Sequence, residues 1–196
     1  WRSALSLCWQ SGIDWPLAPQ GSELLYQAWQ KQMNCPQTTA VGRLFDAAAA
    51  LIGQVQLATF EGQGPMWLEA LGQQAVNHTV IPLPLSQNTA GLWETDWAPL
   101  LPYLLDTHLS LAERAASFHY SLAQAVVHQV LTLRQSWSFA QIGLCGGVFQ
   151  NRLLTEAIIH ALEHRGFTVF IPRQLPSNDA SLSFGQIIES GWPSTP

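Results

Sequence analysis

The feature that most constrains the fold is a strand–helix–strand pattern in the last third of the chain. An apolar run at 139–145 leads into two glycines, a helical pattern over 150–164 follows, and residues 167–171 (FTVFI) form a second apolar run. Gly166 stands between the helical pattern and the second run, where a glycine commonly ends a helix. Two strands joined by a crossover helix run parallel to each other. The sequence therefore predicts an α/β protein with a terminal β-α-β unit.

The first strand ends in the stretch GLCGGVFQNR, in which Gly146 and Gly147 stand between strand and helix. Ligands of parallel sheets bind beyond the carboxyl ends of the strands, and glycine lets a ligand approach the backbone closely. Free N–H groups at the following helix start favour anions or polar atoms, and Asn151 offers both a donor and an acceptor. The alternative is a tight turn followed by an asparagine that caps the helix. Taken alone, the glycine pair favours that alternative.

Two carboxylates stand near positions where a ligand is expected. Asp179, in PSNDAS, follows the second strand and should share a rim with the glycine pair, where a carboxylate suits a metal or a polarised substrate. Asp46 lies one helical turn after Gly42 in VGRLFD. Both also have structural explanations, because aspartate is a favoured helix N-cap and an amphipathic helix can carry Asp46 on its solvated face.

The first two thirds of the chain are predicted to be mainly helical. Ser110-Leu-Ala-Glu113 is a capping box, and apolar residues recur at helical spacing behind it as far as 134. Residues 78–85 are predicted to be extended because their two prolines exclude a helix, and 86–97 are rich in turn formers. Other helices are predicted at 1–10, 22–33, 41–52, 64–72, 100–105 and 180–190.

The amino-acid composition indicates which classes of binding partner this chain is suited to. The chain has 8 Lys and Arg and a formal net charge of −5, so it lacks the basic surface typical of nucleic-acid binding. Charged residues make up only 11% and there are nine Trp, which suggests that another chain or domain covers part of the surface. No apolar run approaches the length of a membrane span. Three cysteines show neither zinc nor disulfide spacing, which fits a reducing, cytoplasmic setting.

Four segments stand in the order found in the carboxyl-terminal part of the HypF family: VGRLFDAAAALIG, FEGQGPMWLEAL, CGGVFQNRLLTEAI and LPSNDASLSFGQ. The flanking segments WRSAL, RAASFHYSLAQAV and GFTVFIPRQLP are also similar to that family. The resemblance covers nearly all of residues 1–196. It implies the second half of a Kae1-like domain, with the helix-rich α/β fold and small mixed sheet of the actin, sugar-kinase and Hsp70 superfamily.

The HypF family consists of carbamoyltransferases of nickel–iron hydrogenase maturation. The resemblance implies that a YrdC-like portion forms carbamoyl-adenylate from ATP, and that the Kae1-like portion passes the carbamoyl group to the carboxyl-terminal Cys of HypE. The implied cofactors are ATP-derived carbamoyl-adenylate and a divalent metal. The implied partners are HypE and the upstream YrdC-like and Kae1-like portions of the same protein, without nucleic acid or membrane. Because the family's first phosphate loop and His cluster would lie upstream of Trp1, this chain alone is not expected to complete a turnover.

The resemblance also implies roles for individual residues. Those expected near the nucleotide are Gly42 and Asp46 at the ribose, Gly62, Gly146 and Gly147 at the adenine, and Asn151 as an exposed hydrogen-bonding residue. Asp179 is expected to be a metal ligand and the main catalytic residue. His119 matches a family position and is expected to be structural, whereas His160 and His164 are expected to form a surface pair.

The sequence departs from the family at several positions. Cys145 replaces a serine and is expected to be a buried small residue, and Thr-Ala-Val replaces Ser-Ser-Met before Gly42. Asn-Asp-Ala-Ser at 178–181 replaces Asn-Asp-Gly-Gly, which leaves the geometry around Asp179 open. Two functions other than carbamoyl transfer are therefore kept as alternatives for this sequence. One is a relative that transfers threonylcarbamoyl to tRNA, which the scarcity of Lys and Arg opposes, and the other is a degenerate, non-catalytic docking module.

Overall fold

The structure is a computed structural model that describes residues 1–53 and 56–191. The α-helices are α1 Arg2–Ser11, α2 Glu23–Gln30, α3 Val41–Leu51, α4 Gln63–Gly72, α5 Leu100–Leu105, α6 Leu111–Ser136, α7 Arg152–Glu163 and α8 Leu182–Gly191. The strands are β1 Leu85–Gln87, β2 Trp93–Thr95, β3 Gln141–Gly143 and β4 Thr168–Phe170. Short 3-10 helices span Gly147–Gln150 and Asp179–Ser181.

The long helix α6 is the centre of the core. Its start follows the predicted capping box, because the Ser110 hydroxyl accepts a hydrogen bond from the Glu113 N–H at 3.1 Å. Helices α4, α5 and α7 pack against α6, and α3 packs against α1 and α4. Fully buried apolar side chains at these contacts include Phe45, Phe118 and Ile158.

The extended segment predicted at 78–85 lies along α6. Its prolines prevent a helix, and two serines of α6 accept its backbone N–H groups instead. The Ser117 hydroxyl accepts from Thr79 at 2.9 Å, and the Ser121 hydroxyl accepts from Ile81 at 2.8 Å. These two bonds explain how polar serines are accommodated on a buried face of the helix.

The turn-rich segment predicted at 86–97 is more ordered than expected, because it contains a hairpin. Strands β1 and β2 pair antiparallel, with Ser86 opposite Glu94. The Asn88 side-chain oxygen accepts the N–H groups of Ala90 and Leu92, so this side chain organises the turn.

The predicted β-α-β unit is confirmed. Strands β3 and β4 pair parallel, with Ile142 opposite Val169, and α7 packs against β4 and α6. Gly166, with φ +82°, follows the end of α7. Both strands are shorter than predicted, and a 3-10 turn separates β3 from α7, so α7 begins at Arg152 rather than at 150.

The fold class is the predicted helix-rich α/β architecture. Within the described residues its β content consists of two separate pairs of strands, one antiparallel and one parallel.

None of the helices in the described ranges is long and apolar enough to cross a membrane. Helices α2 and α8 bury no residue, and Leu24 and Ile187 are 75% and 67% exposed.

Candidate functional site

The carboxyl ends of β3 and β4 bring two of the predicted loops together. The Gly146 N–H donates to the Ser177 carbonyl at 2.6 Å, and a Cβ added to Gly147 would lie 3.7 Å from the Cβ of Asn178. Asp179 is the next residue along this loop. The glycine pair and the Asp179 loop therefore share one rim, as the sequence predicts.

The two glycines of the turn have different conformations. Gly146 has φ +114° and ψ 154°, a region that is essentially restricted to glycine. Gly147 begins the 3-10 helix without a positive φ and is exposed. Backbone geometry thus requires glycine at 146, whereas at 147 an added Cβ would meet only the Asn178 Cβ, at an ordinary contact distance of 3.7 Å.

The start of α7 has no free backbone donors. The N–H groups of Arg152 and Leu153 donate to a carboxylate oxygen of Glu69 at 2.8 and 3.4 Å. The Leu154 N–H donates to the Asn151 side-chain oxygen, and the Asn151 N–H donates to the Val148 carbonyl at 3.0 Å. All four groups that a helix leaves unpaired are therefore satisfied. The expectation that this helix start offers free N–H groups to a ligand is wrong.

Free donors occur instead in the 3-10 turn. Within the described part of the chain, no hydrogen-bond partner is found for the N–H groups of Gly147 and Val148. The Gly146 carbonyl accepts from Phe149 at 3.1 Å, so the turn itself is closed. The N–H groups without a partner at this rim, among the described residues, are thus those of Gly147 and Val148.

Asn151 is a buried structural residue. It is 8% exposed, its side-chain oxygen caps α7, and its amide nitrogen lies 2.9 Å from His119 Nε2. The expectation that Asn151 is exposed is wrong, because the preceding 3-10 turn carries it inward onto α6. The capping alternative describes what Asn151 does in this structure, and its contact with a nucleotide remains a prediction.

His119 is fully buried and uncharged. Its Nδ1 lies 2.7 Å from the Ala115 carbonyl, which can only accept, so Nδ1 carries the proton and Nε2 accepts from Asn151. Burial lowers the pKa of His119 to about 4, and the bond to Ala115 opposes that shift. The Phe45 ring stands edge-on to the imidazole, with centroids 5.3 Å apart. His119 thus connects α3, α6 and α7, which is the structural role expected for it.

Asp46 and Gly62 line a separate cleft of about 570 Å³ between α1, α3 and the start of α4. Asp46 is paired with Arg43 at 3.0 Å and keeps 29% of its side chain exposed. Gly62 has φ +79° and is the N-cap residue that precedes α4. The predicted site residues thus form two groups on neighbouring elements, since α3 also packs against the 3-10 helix Gly147–Gln150. Gly42 lies one turn before Asp46 on α3.

Sequence reasoning missed two residues that shape these groups. A Cβ at Gly64 would lie 3.1 Å from the Cβ of Ala49, so glycine permits the close approach of α4 to α3. Glu69 caps α7 from a position 83 residues earlier in the chain. Gly64 could have been noticed in the EGQG segment, whereas no local pattern indicates the partner of Glu69.

The described residues do not form a metal site by themselves. They contain no group of three or more His, Cys, Asp or Glu side chains that could hold a metal ion. Asp179 is exposed, and the side-chain oxygen of Asn178, not of Asp179, caps the following 3-10 helix. The capping explanation for Asp179 is therefore wrong. Its expected role as a metal ligand stays a prediction that needs ligands from elsewhere.

Two other expectations can be compared with the structure. Cys145 is exposed, so the expectation of a buried residue is wrong, because β3 ends at Gly143 and Cys145 lies in the turn beyond it. His160 and His164 are both exposed and contact each other, as expected for a surface pair.

The sequence and this geometry match known proteins. The profile of the family described as "Carbamoyltransferase, Kae1-like Domain, second subdomain" matches residues 1–186. Carbamoyltransferase HypF of Synechocystis sp. is 36% identical over 165 residues, which cover 84% of this chain and 21% of that protein. Carbamoyltransferase HypF of Rhizobium leguminosarum bv. viciae is 31% identical over 195 residues, which cover 95% of this chain and 24% of that protein.

Two solved structures share the fold. Full-length HypF in its phosphate- and nucleotide-bound form superposes with a TM-score of 0.85 at 23% identity, over 96% of this chain and 30% of that one. HypF of T. kodakarensis superposes with a TM-score of 0.71 at 23% identity, over 87% of this chain and 22% of that one. The present chain thus spans between a fifth and a quarter of the length of the two curated relatives. The chain belongs to the Kae1-like domain family of the HypF carbamoyltransferases, as a second subdomain.

Proposed function

We propose that this chain is part of a carbamoyltransferase that moves the carbamoyl group from carbamoyl-adenylate to the carboxyl-terminal Cys of HypE. In this proposal the reaction serves the synthesis of the cyanide ligands of nickel–iron hydrogenase in the cytoplasm. Support comes from the family match and from relatives named carbamoyltransferase HypF. Because those relatives are four to five times longer, the upstream YrdC-like and Kae1-like portions are proposed to supply adenylate formation and the rest of the cleft.

One observation carries the role of this chain: the glycine turn is held against the loop of Asn178 and Asp179. Gly147 presents bare backbone at that rim, and the N–H groups of Gly147 and Val148 have no partner in the described residues. A flat base can lie against a glycine where a side chain would obstruct it, and free amides bind the polar atoms of a ligand. A full-length HypF has been solved with phosphate and nucleotide bound, which favours a nucleotide as this ligand.

The proposed chemistry is acyl transfer. The thiolate of the partner attacks the carbamoyl carbon, a carbon–sulfur bond forms, and the bond between that carbon and the phosphate oxygen of the adenylate breaks. AMP leaves with the electron pair of that bond. This chain contributes by holding the adenylate in a fixed orientation and by limiting access of water. A divalent metal held in part by Asp179 and completed by ligands outside the described residues would polarise the carbamoyl carbonyl.

The test is carbamoyl transfer by the complete protein to a peptide with the HypE carboxyl terminus, together with calorimetric titration of AMP. Gly147→Val should abolish both AMP binding and transfer while the fold is kept, because its Cβ meets only Asn178 at an ordinary contact distance. The matched control is Gly166→Ala, which changes a glycine of positive φ at the opposite end of α7. The Gly166→Ala variant should lose some stability and retain transfer of the carbamoyl group.

A docking module is the second candidate, and the exposed apolar faces of α2 and α8 support it. The two functions give different results in the same experiment. If a folded wild-type protein binds no nucleotide and transfers no carbamoyl group, or if Gly147→Val binds AMP normally, the rim does not hold a nucleotide. Such a result would favour the docking module.

A further inference from the structure

Two histidines at the carboxyl-terminal end of α7 have side chains that meet on the protein surface. His160 and His164 are four residues apart, so they project from the same face of the helix. Their Nε2 atoms are 3.0 Å apart, and their ring centroids are 4.3 Å apart. Both residues are exposed, and neither belongs to the rim described above.

The spacing of the two nitrogens suits a shared metal ion. Metal bonds to imidazole nitrogen of about 2.0–2.1 Å and an Nε2–Nε2 distance of 3.0 Å give an angle of about 94° at the metal. That angle fits two adjacent positions of a square-planar or octahedral ion, geometries typical of Cu²⁺ and Ni²⁺. A tetrahedral ion would require the nitrogens to separate to about 3.3 Å.

We propose that His160 and His164 form a bis-imidazole site for a divalent transition metal, Ni²⁺ or Cu²⁺, on the surface of α7. In the free protein one Nε2 donates to the other, so one imidazole carries its proton on Nε2. A shift of that proton to Nδ1 leaves two Nε2 lone pairs, which both bind the metal. Water completes the coordination sphere, so the ion is exchangeable.

The surroundings of the pair are compatible with a cation. His160 lies in the last turn of α7 and His164 follows its end, where the helix dipole favours positive charge. Glu156, one turn earlier, is paired with Arg152 at 2.7 Å. The Arg165 guanidinium donates to the Ala161 carbonyl at 2.7 Å. His160 stands nine positions after Asn151, about 14 Å along the helix axis, so the site does not depend on the proposed nucleotide rim.

The experiment uses the complete protein after removal of metal with a chelator, titrated with Ni²⁺ alone by calorimetry. Wild type should bind one more Ni²⁺ per chain than the double variant His160→Gln with His164→Gln. Either single substitution should weaken that site by about 100-fold or more, because the two ligands act as one linked pair. The same difference should persist in an Asp179→Asn background, which separates this site from the other predicted metal ligand.

The matched control is His128→Gln, which removes one exposed histidine of α6 and should bind Ni²⁺ as wild type does. Equal Ni²⁺ stoichiometry and affinity in wild type and the double variant would overturn the proposal. An equal loss of Ni²⁺ binding in His128→Gln would also overturn the proposal, since that result indicates general binding of Ni²⁺ to surface histidines. Circular dichroism without metal should be the same for all variants, because the substituted side chains are exposed.

Discussion

The side-chain amide of Asn151 donates to Nε2 of His119 across 2.9 Å, inside the core and away from solvent. The same asparagine caps α7 with its side-chain oxygen. Asn151 follows directly after the 3-10 helix that begins at Gly147, so this contact anchors the candidate nucleotide rim to α6. The position of the rim therefore depends on a histidine that must stay neutral.

The first prediction concerns the pH dependence of stability. Folding lowers the pKa of His119 from 6.5 to about 4, so between these values the unfolded chain binds more protons than the folded one. The contribution of His119 is therefore complete above pH 6.5 and is lost as the pH falls towards 4. At 1.36 kcal/mol per pKa unit the loss amounts to about 3 kcal/mol.

This loss can be measured in the complete protein by amide hydrogen exchange of α6 and α7, corrected for the intrinsic effect of pH. The imidazole resonances of His119 give the titration midpoint directly. The pH dependence should be flatter in His119→Gln, which is less stable at pH 7 but has no imidazole to protonate. A midpoint near 6.5 for His119 in the folded protein would contradict the prediction.

The second prediction separates the two roles of Asn151. Asn151→Ala should lower the local free energy of unfolding by about 2–3 kcal/mol, because a helix cap is lost and His119 Nε2 is left unsatisfied in the core. Asn151→Asp keeps the cap but places a carboxylate beside His119, which favours the charged imidazole. The pKa of His119 should therefore rise in Asn151→Asp.

Hydrogen exchange and His119 resonances check both variants of Asn151. Loss of AMP binding in Asn151→Asp, with hydrogen exchange like that of wild type, would support a direct contact with the nucleotide. Asn151→Ala with wild-type exchange protection would show that neither the cap nor the His119 contact stabilises α7.

The third prediction concerns the cap supplied by Glu69. Glu69→Ala should destabilise α7 by about 1–2 kcal/mol, because two N–H groups at the helix start lose a charged acceptor. Glu69→Gln should cost less, since its amide oxygen can still accept. Glu163→Ala, at the other end of the same helix, is the control and should have little effect. Equal exchange protection of α7 in Glu69→Ala and Glu163→Ala would argue against this cap.

The helical and β-α-β parts of the fold were predictable because their signals are local. The capping box of Ser110 and Glu113 marks the start of α6, and Gly166 marks the end of α7. The hairpin at 85–95 was missed because the sequence of this segment shows only residues that favour turns. The two strands are instead positioned by the side chain of Asn88, whose oxygen accepts two backbone N–H groups of the turn.

The site was less predictable because its details depend on contacts between distant parts of the chain. Sequence periodicity places Asn151 at a helix start but does not show the buried His119 beneath it. Likewise, Glu69 satisfies α7 from another helix, which removes the free donors expected there. Cys145 was expected in a strand, and the early end of β3 exposes it. The shared rim of Gly146 and Ser177 was predictable, because the carboxyl ends of parallel strands meet at one edge.

The last prediction tests Asp179. Asp179→Asn should leave the fold unchanged, because Asn178 supplies the cap of the 3-10 helix and the Asp179 side chain is exposed. The substitution preserves size but removes the negative charge that a hard or borderline cation requires. In the complete protein we expect lower metal content and slower transfer of the carbamoyl group to HypE. Adenylate formation should persist, because that step is proposed to belong to the YrdC-like portion.

Metal analysis, an assay of adenylate formation and an assay of transfer separate these outcomes for Asp179. The control is Asp106→Asn, in which a carboxylate that accepts the His108 N–H before α6 is changed. It should leave metal content and transfer unaffected, because the Asp106 carboxylate accepts a local N–H group and is not one of the residues that meet at the rim. Normal metal content and normal transfer in Asp179→Asn would remove its assignment as a metal ligand. Loss of transfer with normal metal content would instead indicate a direct role of its charge at the rim, independent of a metal.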